Sequence, residues 1–235
     1  MSKGPGALLL LSILATWYSC DAIQIHPRQP KPGRPFEHIA MRITWPSGFC
    51  MVEPRCDKVK VQNIGNEWTL HGIWPAWSRG FPTDCDDSVK FEIAQVENIS
   101  PQLSLRWPSL TGNDKTFWQH EWKKHGTCAL HDERLGGISK YFQGGLDALN
   151  RYNISHILSQ RGVIPGASYM YRDIETALQE GFNGSVTVIC RPSKSESKIL
   201  YEVQLHLEKG SLDPKTLPRH VTNKGCGSQA SVTYR

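Results

Sequence analysis

The sequence predicts an α+β fold in which helices pack around a central antiparallel sheet. Two observations carry this. Stretches of period two, the mark of half-buried strands, fall near both ends of the chain, and helical patterns fall mainly between them. A third observation bounds the size. Removing an expected leader of 22 residues leaves about 213 (235 − 22), enough for one domain with a large core.

The leader comes first. Lys3 gives a weakly positive start, Ala7 to Trp17 is an apolar run, and Cys20 and Ala22 sit at the small positions of a cleavage site. Residues 1–22 therefore read as a secretory signal peptide cut after Ala22. The apolar run is shorter than the roughly 20 residues of a spanning helix. No later segment is long and apolar enough to span, so a soluble, exported protein is expected. Residues 23–36 hold Pro27, Pro30, Pro32 and Pro35 among basic residues and read as an N-terminal arm. Residues 37–235 are the single domain.

The first strand is Glu37–Trp45, where Ile39, Met41, Ile43 and Trp45 share a face. Trp68–Trp74 is short and rich in β-formers. A helix is expected from about Ser88 to Ser104. Another begins near Asp114, a good N-cap, and ends at Gly126. A third spans Ser139 to Arg161 and is closed by Gly162, and a fourth runs from about Arg172 to Phe182. Two strands follow. Ser185–Cys190 places Val186, Val188 and Cys190 on one side. Ile199–Glu208 sets Tyr201, Val203, Leu205 and Leu207 against Glu202, Gln204, His206 and Glu208.

Without Cys20, six cysteines remain: Cys50, Cys56, Cys85, Cys128, Cys190 and Cys226. An even number in an exported chain predicts disulfides, with 15 possible connectivities. No Cys-x-x-Cys pair suggests zinc or redox work. Asn98-Ile-Ser100, Asn153-Ile-Ser155 and Asn183-Gly-Ser185 are acceptor sequons for glycans. Net charge is +5, and loss of Lys3 with Asp21 leaves it unchanged. Protonating all nine histidines raises the formal value to about +14 (5 + 9), so a polyanion binds better in acid.

Two stretches carry chemistry. They are Trp68-Thr-Leu-His71-Gly-Ile-Trp74-Pro75 and Phe117-Trp-Gln-His120-Glu121-Trp-Lys-Lys124-His125-Gly-Thr-Cys128. On a helix, Glu121 and His125 are four apart and share a face, and Lys124 borders it. Trp118 and Trp122, also four apart, form an apolar stripe that reads as core packing. Two imidazoles beside a carboxylate and an ammonium suffice to cleave RNA through its own 2′-hydroxyl without a metal. His120-Glu121 is not a zinc-protease motif, because His120 and His125 are five apart and diverge on a helix. No other metal-ligand cluster is evident. The remaining histidines (His26, His38, His131, His156, His206 and His220) read as structural.

Both stretches resemble the active-site segments of the RNase T2 family of acid ribonucleases, and the chain is similar to an animal-type member. The second matches at every fixed position, the first with Leu70 and Ile73 as apolar swaps, and Trp45-Pro46…Cys50 is similar to the family's early strand. The likeness spans roughly residues 37 to 226. It implies the RNase T2-type fold and a secreted or lysosomal endoribonuclease. The substrate would be single-stranded RNA, cut to 2′,3′-cyclic phosphates, with DNA spared for want of the nucleophile. No cofactor is implied, and a monomer is expected. The rival is a secreted signalling or binding protein of this fold whose catalysis is incidental.

The resemblance also implies roles. His125 is the general base, His71 the general acid, Glu121 and Lys124 stabilise the phosphorane, and His120 holds a phosphate oxygen. Trp74 is the base-stacking platform. Disulfides Cys50–Cys56, Cys85–Cys128 and Cys190–Cys226 are implied. The middle bond closes 43 residues and would contribute about 4 kcal/mol on the chain-entropy model. Ala76 departs from the family, where an acidic or amide residue often bonds the base, so weak base discrimination is expected. Strict alternation also puts His71 and Trp74 on opposite faces of a strand.

Overall fold

Strand β1, His38–Thr44, is an interior strand of a six-stranded sheet. The computed structural model describes Met1 and residues 34–196, 198–218 and 225–235. The expected signal peptide apart from Met1, most of the expected arm, His26 and His220 lie outside the described residues. Trp45 leads into α1, Pro46–Val52, which has Pro46 at its first position, where a missing N–H is harmless. Helix α2, Lys58–Ile64, is capped by Asp57 accepting from the Lys60 N–H. Neither helix was foreseen, being only seven residues each. The disulfide Cys50–Cys56 closes the loop between them.

Strand β2, Thr69–Ala76, pairs antiparallel with β1 along its length. The helix expected from Ser88 to Ser104 divides into a 3₁₀ segment, Ile93–Ile99, and α3, Ser100–Arg106. Pro101 explains the division. It has no N–H to bond one turn back, so it opens a new helix instead of continuing one. Helix α4, Asp114–Lys124, starts one residue earlier than expected in its cap. Asn113 accepts the Thr116 N–H, while Asp114 is engaged by Lys60 and the Ser109 N–H. It ends on His125 and not on Gly126, which opens the 3₁₀ turn Gly126–Ala129.

The third expected helix also divides, into α5, Ile138–Arg151, and α6, Ile154–Ser159. Asn153 breaks it by accepting the His156 N–H as an N-cap. Gly162 closes α6 at φ +71°, as expected. Strand β3, Ala167–Met170, was missed. Helix α7, Tyr171–Phe182, agrees with the sequence to within a residue, and Asn183 caps it in the left-handed region. Strands β4, Val186–Arg191, and β5, Ile199–Leu207, are as expected, and β6, Ser231–Tyr234, is additional.

The sheet order is β2-β1-β5-β6-β3, with β4 on the other side of β5. All pairings are antiparallel except one parallel bridge, Ile199 to Thr233. Ile39, Met41, Ile43, Leu70, Ile73, Val203, Leu205 and Leu207 are fully or almost fully buried. Helix α5 packs on this sheet, with Gly145 against Leu70 and Trp107. At about 25 cal/mol per Å², each such aliphatic side chain contributes about 1.5–3 kcal/mol. The other face was expected to be wet. It is buried too, since His38, Thr44, Glu202, Gln204 and His206 are all at most 8% exposed. Cys85–Cys128 and Cys190–Cys226 complete the three disulfides.

Candidate active site

The strand-bearing motif solves its alternation problem with a β-bulge. Arg42 pairs with Gly72 and Ile43 with Leu70, so His71 is the extra residue. Leu70 and Ile73 can then both face the core while His71 and Trp74 come together, with rings 5.1 Å apart edge to face. The bulge is pinned from outside. The Trp107 indole donates to the His71 carbonyl at 2.8 Å, and the Trp118 indole donates to the Trp107 carbonyl at 2.7 Å. Trp118 sits on α4, so one chain of indole bonds ties the two motifs together. Trp122 is fully buried and donates to Val89, so the two tryptophans of α4 are core residues.

Trp74 is the junction. Its indole donates to Glu121 at 2.8 Å, and its ring stacks on His125 at 4.6 Å and 21°. Gly72 permits this, because a Cβ there would strike both Trp74 and Glu121. The Arg42 guanidinium lies 4.8 Å from the Trp74 ring centroid. Trp74 is only 7% exposed. Ala76 is 1% exposed and paired with His38, so it does not present its side chain to solvent either.

The end of α4 is fastened to the loop after β2. Cys85 bonds Cys128, the Asp84 N–H donates to the Lys124 carbonyl, and the Cys85 N–H donates to Thr127. His125 leaves helical geometry but keeps its N–H on the Glu121 carbonyl at 3.0 Å. Glu121 and His125 are 1% and 5% exposed, and the His125 Nδ1 is buried without a partner. Lys124 is half-buried and His120 exposed. Two half-buried rings flank the histidines. Phe117 lies 6.1 Å from His71 and Phe81 6.5 Å from His125.

Sequence reading missed the floor of the site. Glu202 of β5 accepts from His71 Nδ1 at 2.6 Å, and it also accepts from Thr44 at 3.1 Å. Arg42 sits 3.7 Å from Glu202 and donates to Gln204 at 2.7 Å. His206 then meets Gln204 and His38, at 3.3 and 3.1 Å. The signal was present in the sequence. Three polar residues on one face of β5 and Arg42 on β1 form a row, but alternation alone cannot tell a wet face from a buried polar one.

These contacts drive the imidazoles apart. Burial pushes the His125 pKa down, helped by Lys124, His120, His71 and Arg42, to about 3. On His71 burial works the same way, but the hydrogen bond and charge of Glu202, with Glu121, outweigh it and raise the pKa above the ordinary value. Burial raises the Glu121 pKa, partly offset by His71, Trp74 and Lys124. Burial also works to raise Glu202, yet His71, Arg42 and Thr44 hold it below the ordinary carboxylate value. One imidazole biased toward the neutral form and one biased toward the protonated form thus lie beside one indole, a pairing suited to base and acid work.

Residues 36–217 match the model of the Ribonuclease T2 family. This chain belongs to that family. Ribonuclease Oy of Magallana gigas is 35% identical over 177 residues, covering 70% of this chain and 80% of the relative. A ribonuclease-like storage protein of Panax ginseng is 30% identical, covering 73% and 71%. Among solved structures, RNase NT in complex with 5′-AMP superposes with a TM-score of 0.72 at 25% identity, covering 86% of this chain and all of the other. The protein is an RNase T2-type enzyme, an acid endoribonuclease. The RNase T2-type α+β fold expected from the sequence is the fold found.

Proposed function

We propose that this ribonuclease cleaves single-stranded RNA by transesterification, with His125 as base and His71 as acid. The opposite charge states of these two imidazoles carry the reading. His125, neutral, takes the proton of the 2′-hydroxyl as that oxygen attacks phosphorus. The bond from phosphorus to the 5′-oxygen breaks, and His71, protonated, delivers a proton to the leaving oxygen. A 2′,3′-cyclic phosphate and a 5′-hydroxyl result, so atoms and charge balance. Lys124 and Glu121 stabilise the crowded phosphorane, and His120, exposed beside them, takes a phosphate oxygen. DNA lacks the nucleophile and is spared.

The surroundings of Trp74 change the view of base binding. The indole organises Glu121 and His125, and the two flanking rings, Phe81 and Phe117, are better placed to stack the bases on either side of the scissile phosphate. Stacking accepts any base, which supports weak base discrimination. The rival of a signalling or binding protein with incidental catalysis is not favoured, because a binding role requires neither the paired imidazoles nor their tuning.

We also read residues 1–22 as a signal peptide and residues 37–235 as the catalytic domain, and place the protein in a secreted or lysosomal compartment, as a monomer. Asn98, Asn153 and Asn183 are exposed, as acceptors of glycans must be. Among the described residues no helix is long and apolar enough to cross a membrane.

RNA digestion at acid pH in excess EDTA tests the chemistry. The parent enzyme is expected to retain full activity, and His71→Ala and His125→Ala each to lose about 10²–10⁴-fold in kcat. Activity that vanishes in EDTA and returns with Zn²⁺ or Mg²⁺, or near-normal turnover in either variant, would overturn this mechanism.

A further inference from the structure

We propose that Glu202 is a positioning residue for catalysis: its carboxylate grips the Nδ1–H of His71, so that Nε2 is the nitrogen aimed at the leaving oxygen. The inference rests on the reading of His71 as the general acid. Glu202 never touches RNA; it acts through the imidazole.

The geometry favours this over a merely structural carboxylate. Glu202 is 3% exposed on β5, and 131 residues separate it from His71. Its shortest contact, 2.6 Å, goes to the imidazole, shorter than the 3.1 Å to Thr44 or the 3.7 Å to Arg42. Thr44 and Arg42 would suffice to satisfy a carboxylate that only filled the sheet. A buried carboxylate is costly unless well paired, and here the pairing converges on an imidazole whose side chain is 35% exposed. An imidazole can offer only one nitrogen to the substrate. A carboxylate on Nδ1 fixes both the tautomer and the ring plane.

The other charges around His71 do not substitute for it. Glu121 faces it from α4, but its carboxylate is engaged by Trp74. Arg42 faces it from β1 and opposes the proton. His120 and His125 of α4 feel its charge. Trp74 and Phe117 are uncharged rings beside it. Throughout the cycle the Nδ1 proton stays on the imidazole and Glu202 stays ionised; the proton delivered is the one on Nε2.

The test compares parent, Glu202→Gln, Glu202→Asp, His71→Ala and the double variant Glu202→Gln/His71→Ala. Glutamine keeps the shape but has no charge, and its amide can turn NH₂ as readily as oxygen toward Nδ1, so it no longer fixes the tautomer. We expect kcat to fall roughly 10²-fold, the scale of a misaimed catalytic group. The alkaline limb of kcat/KM should move to lower pH, and the NMR titration of the His71 ring should move the same way. The double variant should be no slower than His71→Ala alone, because both changes remove one function. If Glu202→Gln does not fold, Glu202→Asp carries the test, since its shorter side chain recedes from Nδ1 and should also move the alkaline limb to lower pH. A parent-like rate, limb and titration in the folded Glu202 variants, with His71→Ala inactive, would overturn the inference and leave the mechanism standing. Near-full activity of His71→Ala would overturn the mechanism first and the inference with it.

Discussion

His71 and His125 start from the same imidazole chemistry, and their neighbours assign them opposite charges. His125 is walled in by Trp74 and cations, and His71 rests on a carboxylate. The pH profile follows. In the proposed mechanism activity needs His125 neutral, hence pH above about 3, and His71 protonated, hence pH below a value raised above 6.5. A broad bell lying mostly on the acid side is expected for kcat/KM. After burial, Lys124 is the largest cause of the low His125 pKa. Lys124→Gln should therefore move the acid limb to higher pH, while kcat falls about 10²–10³-fold as a stabilising charge is lost. An acid limb that stays in place would show that burial alone sets the base. The sequence singled out His71, Glu121, Lys124 and His125 as candidates, because motif and helical spacing are local properties. It could not identify Glu202, which is remote in sequence, or the closed environment of Trp74, which depends on what packs over the ring.

At the scale of elements, the site is a junction between a bulged strand and a helix end. The bulge at His71 has no ladder partner, and its carbonyl depends on the Trp107 indole. Trp107 is fully buried between Tyr141 and Phe142 at the front of the core. Trp107→Phe keeps most of this packing and removes only the N–H. An orphaned buried carbonyl costs about 1–3 kcal/mol. The melting temperature should drop accordingly, and kcat should fall more than KM changes, because the bulge aims His71. Parent kcat in a destabilised Trp107→Phe protein would show that the bulge holds its shape without that bond. Helix boundaries at this scale were only partly legible. Pro101 and Asn153 divide helices that looked continuous, since periodicity survives a break that a single missing or captured N–H creates. Seven-residue α1 and α2 and four-residue β3 and β6 are too short to establish a period.

On the scale of the whole molecule, the buried polar face of the sheet makes stability depend on pH. His206 lies within it at 3% exposure with its pKa pushed down, by burial first and then His38 and Arg42, to about 3. His38 is also lowered, chiefly by burial. A histidine held neutral in the fold takes up its proton on unfolding, so its contribution is intact above about 6.5 and lost as pH falls toward the folded value. For His206 the loss at pH 5 is about 2 kcal/mol, at 1.36 kcal/mol per unit. His71 has the opposite sign: its contribution is full below about 6.5 and is lost as pH rises through its raised folded value. Among these groups the depressed ones outnumber it, so the melting temperature should fall from pH 7 to pH 4. His206→Asn should flatten that slope. An unchanged slope would remove His206 from the acid sensitivity.

By itself, the sequence determined the α+β class, the main strands, the family and the two motifs that hold the candidate site residues. Each of these rests on short-range spacing, whether of period two, of period 3.6 or of a motif, and short-range spacing is preserved whatever the chain packs against. The tertiary structure alone decided that the polar side of β5 is an interior floor, that His71 rides a bulge held by tryptophans, and that Glu202 and Arg42 border the two imidazoles. Those facts depend on β2 and β5 flanking β1, which brings together residues 131 apart in sequence, and on burial strengthening each charge they bring together.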